Sequence, residues 1–249
     1  MLSPPTMSTV PFDVTGAPIA GGVSTRSIGV ARLPAQAQLA LPRVLLCDLD
    51  GTLIDSMPTL ADLATEVIED RYGTPRILAR ELYLATCGLP FVKQLEEIFP
   101  EDPRNAEASA DFEARKPARC GAIRMPAETR RALQEMRDMG VRIAVSSNNG
   151  IENVNAFARD ATFSFDLVLG YGDGLAKGRT HLDATSRKFG AARQEMLFIG
   201  DSLHDGEIAE REGIPFVGVA TTFSSDRFAL RFPSVPVIRR FSALPTLFQ

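Results

Sequence analysis

Residues 44–53 read VLLCDLDGTL, an unbroken apolar run that leads into two acids and a glycine. A run that is apolar on both faces is typical of a strand at the centre of a parallel sheet, covered by helices on each side. Later runs of the same kind are VRIAVSS (141–147), FDLVLG (165–170), EMLFIG (195–200), PFVGVA (215–220) and a shorter VPVIRR (235–240). The sequence therefore predicts one parallel sheet with 44–50 as a central strand.

Amphipathic segments lie between the predicted strands. The segment 126–140 begins with a proline and ends with a glycine, as helices often do. The other predicted helices of this part of the chain are 151–160, 181–190, 205–213 and a terminal one at 242–248. Strands that alternate with helices of this length form right-handed βαβ units. We therefore predict an α/β fold with a doubly wound, Rossmann-like parallel sheet.

Residues 57–124 interrupt this alternation. They contain no strong strand pattern, and their candidate helices are 57–72, 77–86, 90–99 and 103–116. The stretch is far longer than an ordinary crossover, which indicates an inserted helical cap domain. The core domain is then 41–56 together with 125–249. Residues 1–40, rich in Pro, Ala, Ser, Thr and Gly, are predicted to be a flexible extension.

Charge and composition narrow the choice of partners. The formal net charge of −4 argues against a nucleic-acid partner. No apolar run reaches the roughly 18–20 residues of a membrane helix, so no membrane contact is expected. The three cysteines are far apart and only two histidines are present, which makes a zinc site unexpected. We expect a cytoplasmic protein, monomeric or homodimeric.

Side chains suited to chemistry follow the predicted strands at their carboxyl ends, where open parallel sheets form their active sites. They are Asp48, Asp50, Thr52, Ser146, Ser147, Lys177, Asp201 and Asp205. Carboxylates packed this closely repel one another unless a divalent cation neutralises them, and hard oxygen ligands suit Mg²⁺. Ser146, Lys177 and nearby backbone N–H groups suit a phosphate. These parts indicate a phosphoryl-transfer site whose partner is a small phosphorylated metabolite.

Some of these assignments have competitors within the sequence. Ser146 is favoured by its position at the strand end, and Ser147 is the alternative. Lys177 competes with Arg179 and with Lys188, and Lys188 lies inside a predicted helix where a solvated charge is expected.

Other polar residues have an open interpretation. In the cap, Lys93 or a base from the cluster 115–124 could meet an anionic substrate, and ordinary surface charge explains each of them equally well. His204 is interpreted as a surface or structural residue, and His181 as one that helps to start its helix.

The chain resembles the haloacid dehalogenase superfamily of phosphatases over about residues 43–220. Its DLDGTL, AVSSN and GDSLHD (200–205) match three motifs of that superfamily, and Lys177 supplies the remaining one. A helical insertion between the first two motifs is similar to the branch that includes phosphoglycolate phosphatase and beta-phosphoglucomutase.

The resemblance implies roles for the acidic residues. Asp48 would be the nucleophile that forms an aspartyl-phosphate, and Asp50 would protonate the leaving alcohol and then activate water. Mg²⁺ would be bound by the Asp48 carboxylate, the Asp50 backbone carbonyl and Asp201. Asp205 would act on the metal through water or orient Lys177.

The resemblance also implies the remaining roles. Ser146 or Ser147, Lys177 and Thr52 form the phosphate-binding set, and Thr52 would help to hold Asp50. Asp50 argues against dehalogenation, because a halide leaving group needs no proton. The expected function is Mg²⁺-dependent hydrolysis of a small phosphate monoester, such as a sugar phosphate, phosphoglycolate or a nucleotide monophosphate. The alternatives are a phosphomutase and a catalytically silent binding protein.

Overall fold

A computed structural model describes residues 39–249 of the chain and contains a six-stranded sheet. Its strands are β1 (Val44–Cys47), β2 (Arg142–Gly150), β3 (Leu167–Tyr171), β4 (Met196–Gly200), β5 (Phe216–Val219) and β6 (Val237–Ile238). All neighbouring strands run parallel, in the order β3-β2-β1-β4-β5-β6. The predicted α/β fold with a parallel sheet is confirmed.

Strand β1 lies in the middle of the sheet because its side chains are apolar on both faces. Leu45 and Cys47 belong to the apolar cluster on one face, and Val44 and Leu46 belong to the cluster on the other. Cys47 is in register with Val145 of β2 and with Ile199 of β4. The polar residues that follow these three positions therefore emerge at one edge of the sheet.

The helices are α1 (Met57–Tyr72), α2 (Arg76–Ala85), α3 (Phe91–Ile98), α4 (Asn105–Cys120), α5 (Ala127–Asp138), α6 (Ile151–Asp160), α7 (Arg179–Phe189), α8 (Leu203–Glu212) and α9 (Ser225–Arg231). Helix α9 was not predicted, because its seven residues bury only Phe228 and give no periodic pattern. The predicted terminal helix is a 3₁₀ helix, Phe241–Phe248, with Pro245 inside it. Proline lacks the N–H that an α-helix would need there.

Helices α1 to α4 share an apolar cluster that is separate from the two clusters beside the sheet. Its members include Leu63, Val67, Leu95 and Phe112. We refer to Met57–Cys120 as the helical segment; the domain boundaries proposed around it stay a prediction. The predicted flexible extension lies outside the described residues, apart from Leu39 and Ala40. Among the helices of residues 39–249, none has both the length and the apolar character of a membrane span.

Candidate active site

A cavity lies where the carboxyl edge of the sheet faces the helical segment. Its residues from the sheet edge include Asp48, Asp50, Ser147, Asn148, Asn149, Lys177 and Asp201. Its residues from the helical segment include Tyr83, Gly88, Phe91, Phe112 and Lys116. The cavity volume of about 60 Å³ is small.

Asp48 and Lys177 form a buried ion pair at this edge. The Lys177 Nζ lies 2.7 Å from Asp48 Oδ1 and 2.8 Å from Asp205 Oδ1. Burial alone would lower the pKa of Lys177, but the charges of Asp205 and Asp48 raise it above its usual value. Lys177 is therefore a fixed cation between two carboxylates.

Asp205 is held by the first turn of α8. The Ser202 backbone N–H and hydroxyl both donate to Asp205 Oδ2, at 3.1 and 2.7 Å. The Ser202 hydroxyl in turn accepts from the Asp205 backbone N–H, as in a capping box. With its other oxygen on Lys177, Asp205 is arranged to orient that lysine, one of the two roles expected from the sequence.

Asp201 receives a hydroxyl on each carboxylate oxygen. Thr52 donates to Oδ1 at 3.1 Å, and Thr222 donates to Oδ2. The Thr52 hydroxyl is directed at Asp201 and not at Asp50, which it was expected to hold, and its role in binding phosphate stays a prediction. Thr222 follows β5 in a loop without a motif, so no pattern in its neighbourhood predicts this contact. Gly51, at φ +78°, leaves room for Asp201 that a Cβ would fill.

Carboxylates of Asp48, Asp201 and Asp205 offer oxygen atoms within 4.8 Å of one another. Burial, followed by the charge of Asp205, raises the pKa of Asp201 to about 7. Burial also raises the pKa of Asp48 well above its usual range, against the effect of Lys177. A buried set of three carboxylates, with raised pKa values at Asp48 and Asp201, fits a cation that prefers hard oxygen ligands, such as Mg²⁺. The side chain of Asp50 is outside this set, and a contribution from its backbone carbonyl stays a prediction.

The Asp50 carboxylate lines the same cavity as Asp48 and Asp201, and two hydrogen-bond donors orient it. The Ser56 hydroxyl donates to Oδ1 at 2.6 Å, and the Asn149 side-chain amide donates to Oδ2 at 3.2 Å. Neither donor was predicted. Ser56 immediately precedes α1, and Asn149 follows the two serines of β2. Asp50 is partly exposed and lines the cavity.

The structure separates the two serines that the sequence left as alternatives. Ser147 lines the cavity, whereas the Ser146 hydroxyl donates to Nδ1 of the fully buried His181 at 2.9 Å. His181 Nε2 donates to the Gly170 carbonyl at 3.1 Å. Ser146 is thus engaged by a buried histidine and does not line the cavity. The geometry therefore favours Ser147, the alternative to Ser146, and a phosphate-binding role for it stays a prediction.

Of the other basic residues considered, Arg179 and Lys93 lie away from the cavity and Lys116 lines it. Arg179 has a side chain that is 76% exposed and pairs with Glu212, and Lys93 pairs with Glu96 on the surface. Of the cluster 115–124, Lys116 lines this cavity, whereas Arg115 and Arg119 pair with Glu66.

Comparisons with known proteins agree with this geometry. A family model described as haloacid dehalogenase-like hydrolase matches residues 45–219. A phosphoglycolate phosphatase from Rhodobacter capsulatus is 28% identical over 212 residues, covering 82% of this chain and 96% of that protein. One from Escherichia coli O157:H7 is 29% identical over 202 residues, covering 69% of this chain and 79% of that protein.

Solved structures share the fold at lower identity. A hydrolase from Pseudomonas syringae has a TM-score of 0.70 and 19% identity, covering 82% of this chain and 97% of that chain. A haloacid dehalogenase-like family hydrolase from Streptococcus pneumoniae has a TM-score of 0.69 and 16% identity, covering 84% and 99%.

Proposed function

The chain belongs to the haloacid dehalogenase-like hydrolase family and is a phosphatase of that family, and we propose that it hydrolyses a small phosphate monoester through an aspartyl-phosphate on Asp48, with Mg²⁺. The observation that carries the proposal is a buried group of carboxylates and one lysine around the cavity. The Asp48 carboxylate lies at the cavity, paired with Lys177 and grouped with Asp201 and Asp205, while Asp50 lies at the same cavity.

In the proposed reaction a carboxylate oxygen of Asp48 attacks phosphorus, and the bond from phosphorus to the ester oxygen breaks. Asp50 gives its proton to that oxygen, so that an alcohol leaves. Water then attacks the acyl phosphate, and Asp50 takes a proton from it. Inorganic phosphate is released and Asp48 is restored. The hydrogen bonds from Ser56 and Asn149 support this role, because they hold the Asp50 carboxylate in one orientation.

Lys177 and Ser147 are the proposed ligands of the phosphoryl oxygens. Lys177 supplies a positive charge that offsets charge on the phosphoryl group during transfer, and Asp205 keeps it in place. The Ser147 hydroxyl lines the cavity and accepts a hydrogen bond from the Asn149 backbone N–H at 3.1 Å. That contact leaves its own O–H free to donate to an anion.

Asp48 and Asp201 are the residues that would hold Mg²⁺, with Asp205 beside them. When bound, the ion supplies positive charge to the phosphoryl oxygens and lets neighbouring carboxylates ionise together. Thr52 and Thr222 orient the Asp201 carboxylate by donating one hydrogen bond to each of its oxygens. Each oxygen keeps a second lone pair for a cation.

The cavity supports a small substrate. Its volume of about 60 Å³ has room for the equivalent of roughly four to six water molecules, which favours a short phosphate ester over a nucleotide. The relatives named phosphoglycolate phosphatase make phosphoglycolate the first compound to assay.

The test is phosphate release from phosphoglycolate and from p-nitrophenyl phosphate, with Mg²⁺, by the wild type and by Asp48→Asn. The matched control is Asp70→Asn, which changes an exposed carboxylate on α1. We expect the wild type and the control to release phosphate and Asp48→Asn to be inactive. An Asp48→Asn protein with wild-type turnover would refute the assignment of the nucleophile.

A further inference from the structure

Two consecutive asparagines connect the helical segment to the reacting groups. The Asn148 amide donates to the Gly88 carbonyl at 2.8 Å, and its Oδ1 accepts from the Lys177 backbone N–H at 2.9 Å. The Oδ1 of Asn149 accepts from Lys116 Nζ at 3.0 Å, and its amide donates to Asp50 Oδ2 at 3.2 Å. Each asparagine therefore has one end on the helical segment and one end on a group of the active site.

The chemistry of the partners fixes the orientation of both side-chain amides. For Asn148, a backbone carbonyl can only accept and a backbone N–H can only donate, so Nδ2 must face Gly88 and Oδ1 must face Lys177. For Asn149, an ammonium group can only donate, so Oδ1 faces Lys116 and Nδ2 is left for the Asp50 carboxylate. A rotated amide would lose both contacts at either position.

The contacts on the helical segment are themselves well fixed. Lys116 is 7% exposed, lies over the Phe112 ring with its Nζ 5.1 Å from the centroid, and is 3.4 Å from Glu113. Gly88 has φ +100°, and a side chain there would collide with Ser202 at the start of α8. The helical segment thus rests closely on the sheet edge at both asparagines.

We propose that Asn148 and Asn149 are positioning residues that couple the seating of the helical segment to the placement of Lys177 and Asp50. Through Asn148, contact with Gly88 sets the loop that presents Lys177 to the phosphate. Through Asn149, contact with Lys116 sets the direction of the Asp50 carboxylate. The site is fully arranged only when the helical segment covers the cavity, so phosphoryl transfer to Asp48 begins after bulk solvent has been excluded. This inference rests on the proposed phosphatase function.

The two asparagines predict different kinetic signatures. Asp50 gives a proton to the leaving group, so its misplacement slows esters of poorly leaving alcohols far more than esters of a phenol that leaves without a proton. Lys177 contacts the phosphoryl group that all substrates share, so its misplacement slows all of them alike. The value of kcat/KM reports the phosphoryl-transfer step, and the ratio of kcat/KM for two substrates does not depend on the fraction of folded enzyme.

The experiment compares kcat/KM for phosphoglycolate and for p-nitrophenyl phosphate in Asn149→Ala, Lys116→Met, their double variant and Asn148→Ala. We expect Asn149→Ala to lose about 100-fold on phosphoglycolate and under about 5-fold on p-nitrophenyl phosphate. Lys116→Met should show the same selectivity, and the double variant should be no worse than Asn149→Ala. Asn148→Ala should slow both substrates equally. Lys93→Met, an exposed change on the same segment, should match the wild type.

Other outcomes distinguish a failure of the proposed coupling from a failure of the proposed phosphatase function. Equal losses on both substrates for Asn149→Ala, or multiplicative losses in the double variant, would overturn the coupling. Multiplicative losses would mean that Lys116 acts on the substrate independently of Asn149. A wild type that releases no phosphate from either compound contradicts the proposed function itself.

Discussion

The buried His181 makes the free energy of unfolding depend on pH, and we expect the protein to lose stability on acidification. Its ring is buried, donates from Nε2 to the Gly170 carbonyl and accepts from Ser146 at Nδ1. A neutral ring satisfies both contacts, whereas a protonated ring has a second N–H in place of the acceptor. Burial lowers the pKa of His181 to about 4, a value that the nearby charge of Lys177 also favours. The perturbation is replacement of His181 by glutamine, which has a donor and an acceptor but does not titrate.

The magnitude follows from the difference between the folded and unfolded pKa. An unfolded histidine titrates near about 6.5, so the unfolded chain binds more protons than the folded one as the pH falls from that value towards 4. The contribution of His181 is therefore complete above about pH 6.5 and decreases with acid. Between about pH 7 and about pH 5 the lost free energy of unfolding is about 2 kcal/mol.

Urea unfolding at the two pH values measures this effect directly. The wild type should lose about 2 kcal/mol more on acidification than His181→Gln does. The control is Lys188→Gln, an exposed change on the same helix, and it should follow the wild type. Equal pH dependence in the wild type and His181→Gln would refute the argument that His181 is held neutral.

Three further changes test the surroundings of the nucleophile. Lys177→Met should reduce kcat by about 100-fold or more while the protein stays folded by circular dichroism, because a phosphate ligand and the partner of Asp48 are lost. Gly51→Ala should weaken Mg²⁺ binding, measured by calorimetry, because a Cβ at this position would displace Asp201. The control is Gly73→Ala, at a glycine with a similar positive φ and no atom within 4 Å of the added Cβ, and it should leave Mg²⁺ binding unchanged. Chelation of the metal should abolish phosphate release. Added Mg²⁺ at about 100 times its Kd should raise the free energy of unfolding by about 2.7 kcal/mol. An unchanged free energy of unfolding would contradict a bound ion.

The sheet could be predicted from the sequence because each buried parallel strand is a continuous apolar run. Residues 44–47 have no polar face, which places them at the centre of the sheet, and their register with β2 and β4 brings the later strand ends to Asp48. The acids at positions 48, 201 and 205 were found because their spacing from those runs fixes where they emerge.

Local sequence could not distinguish Ser146 from Ser147. A shift of one residue along a strand changes the side on which a hydroxyl lies, and the deciding contact, with His181, comes from another helix. Thr222 reaches Asp201 from a loop beyond β5, and Asn149 reaches Asp50 across about a hundred residues of sequence. Such contacts depend on tertiary packing and leave no pattern in the residues themselves. The contact of Thr52 with Asp201 was missed for the same reason.

The central claim is that Asp48 carries the phosphoryl group during turnover. Wild-type enzyme is mixed with Mg²⁺ and a radioactively phosphoryl-labelled monoester, quenched in acid within one turnover, and digested into peptides. We predict label on the peptide that contains Asp48, stable in acid, released by hydroxylamine, and absent from Asp48→Asn. Turnover of the substrate with no label on the protein, or with label on a different residue, would contradict the account.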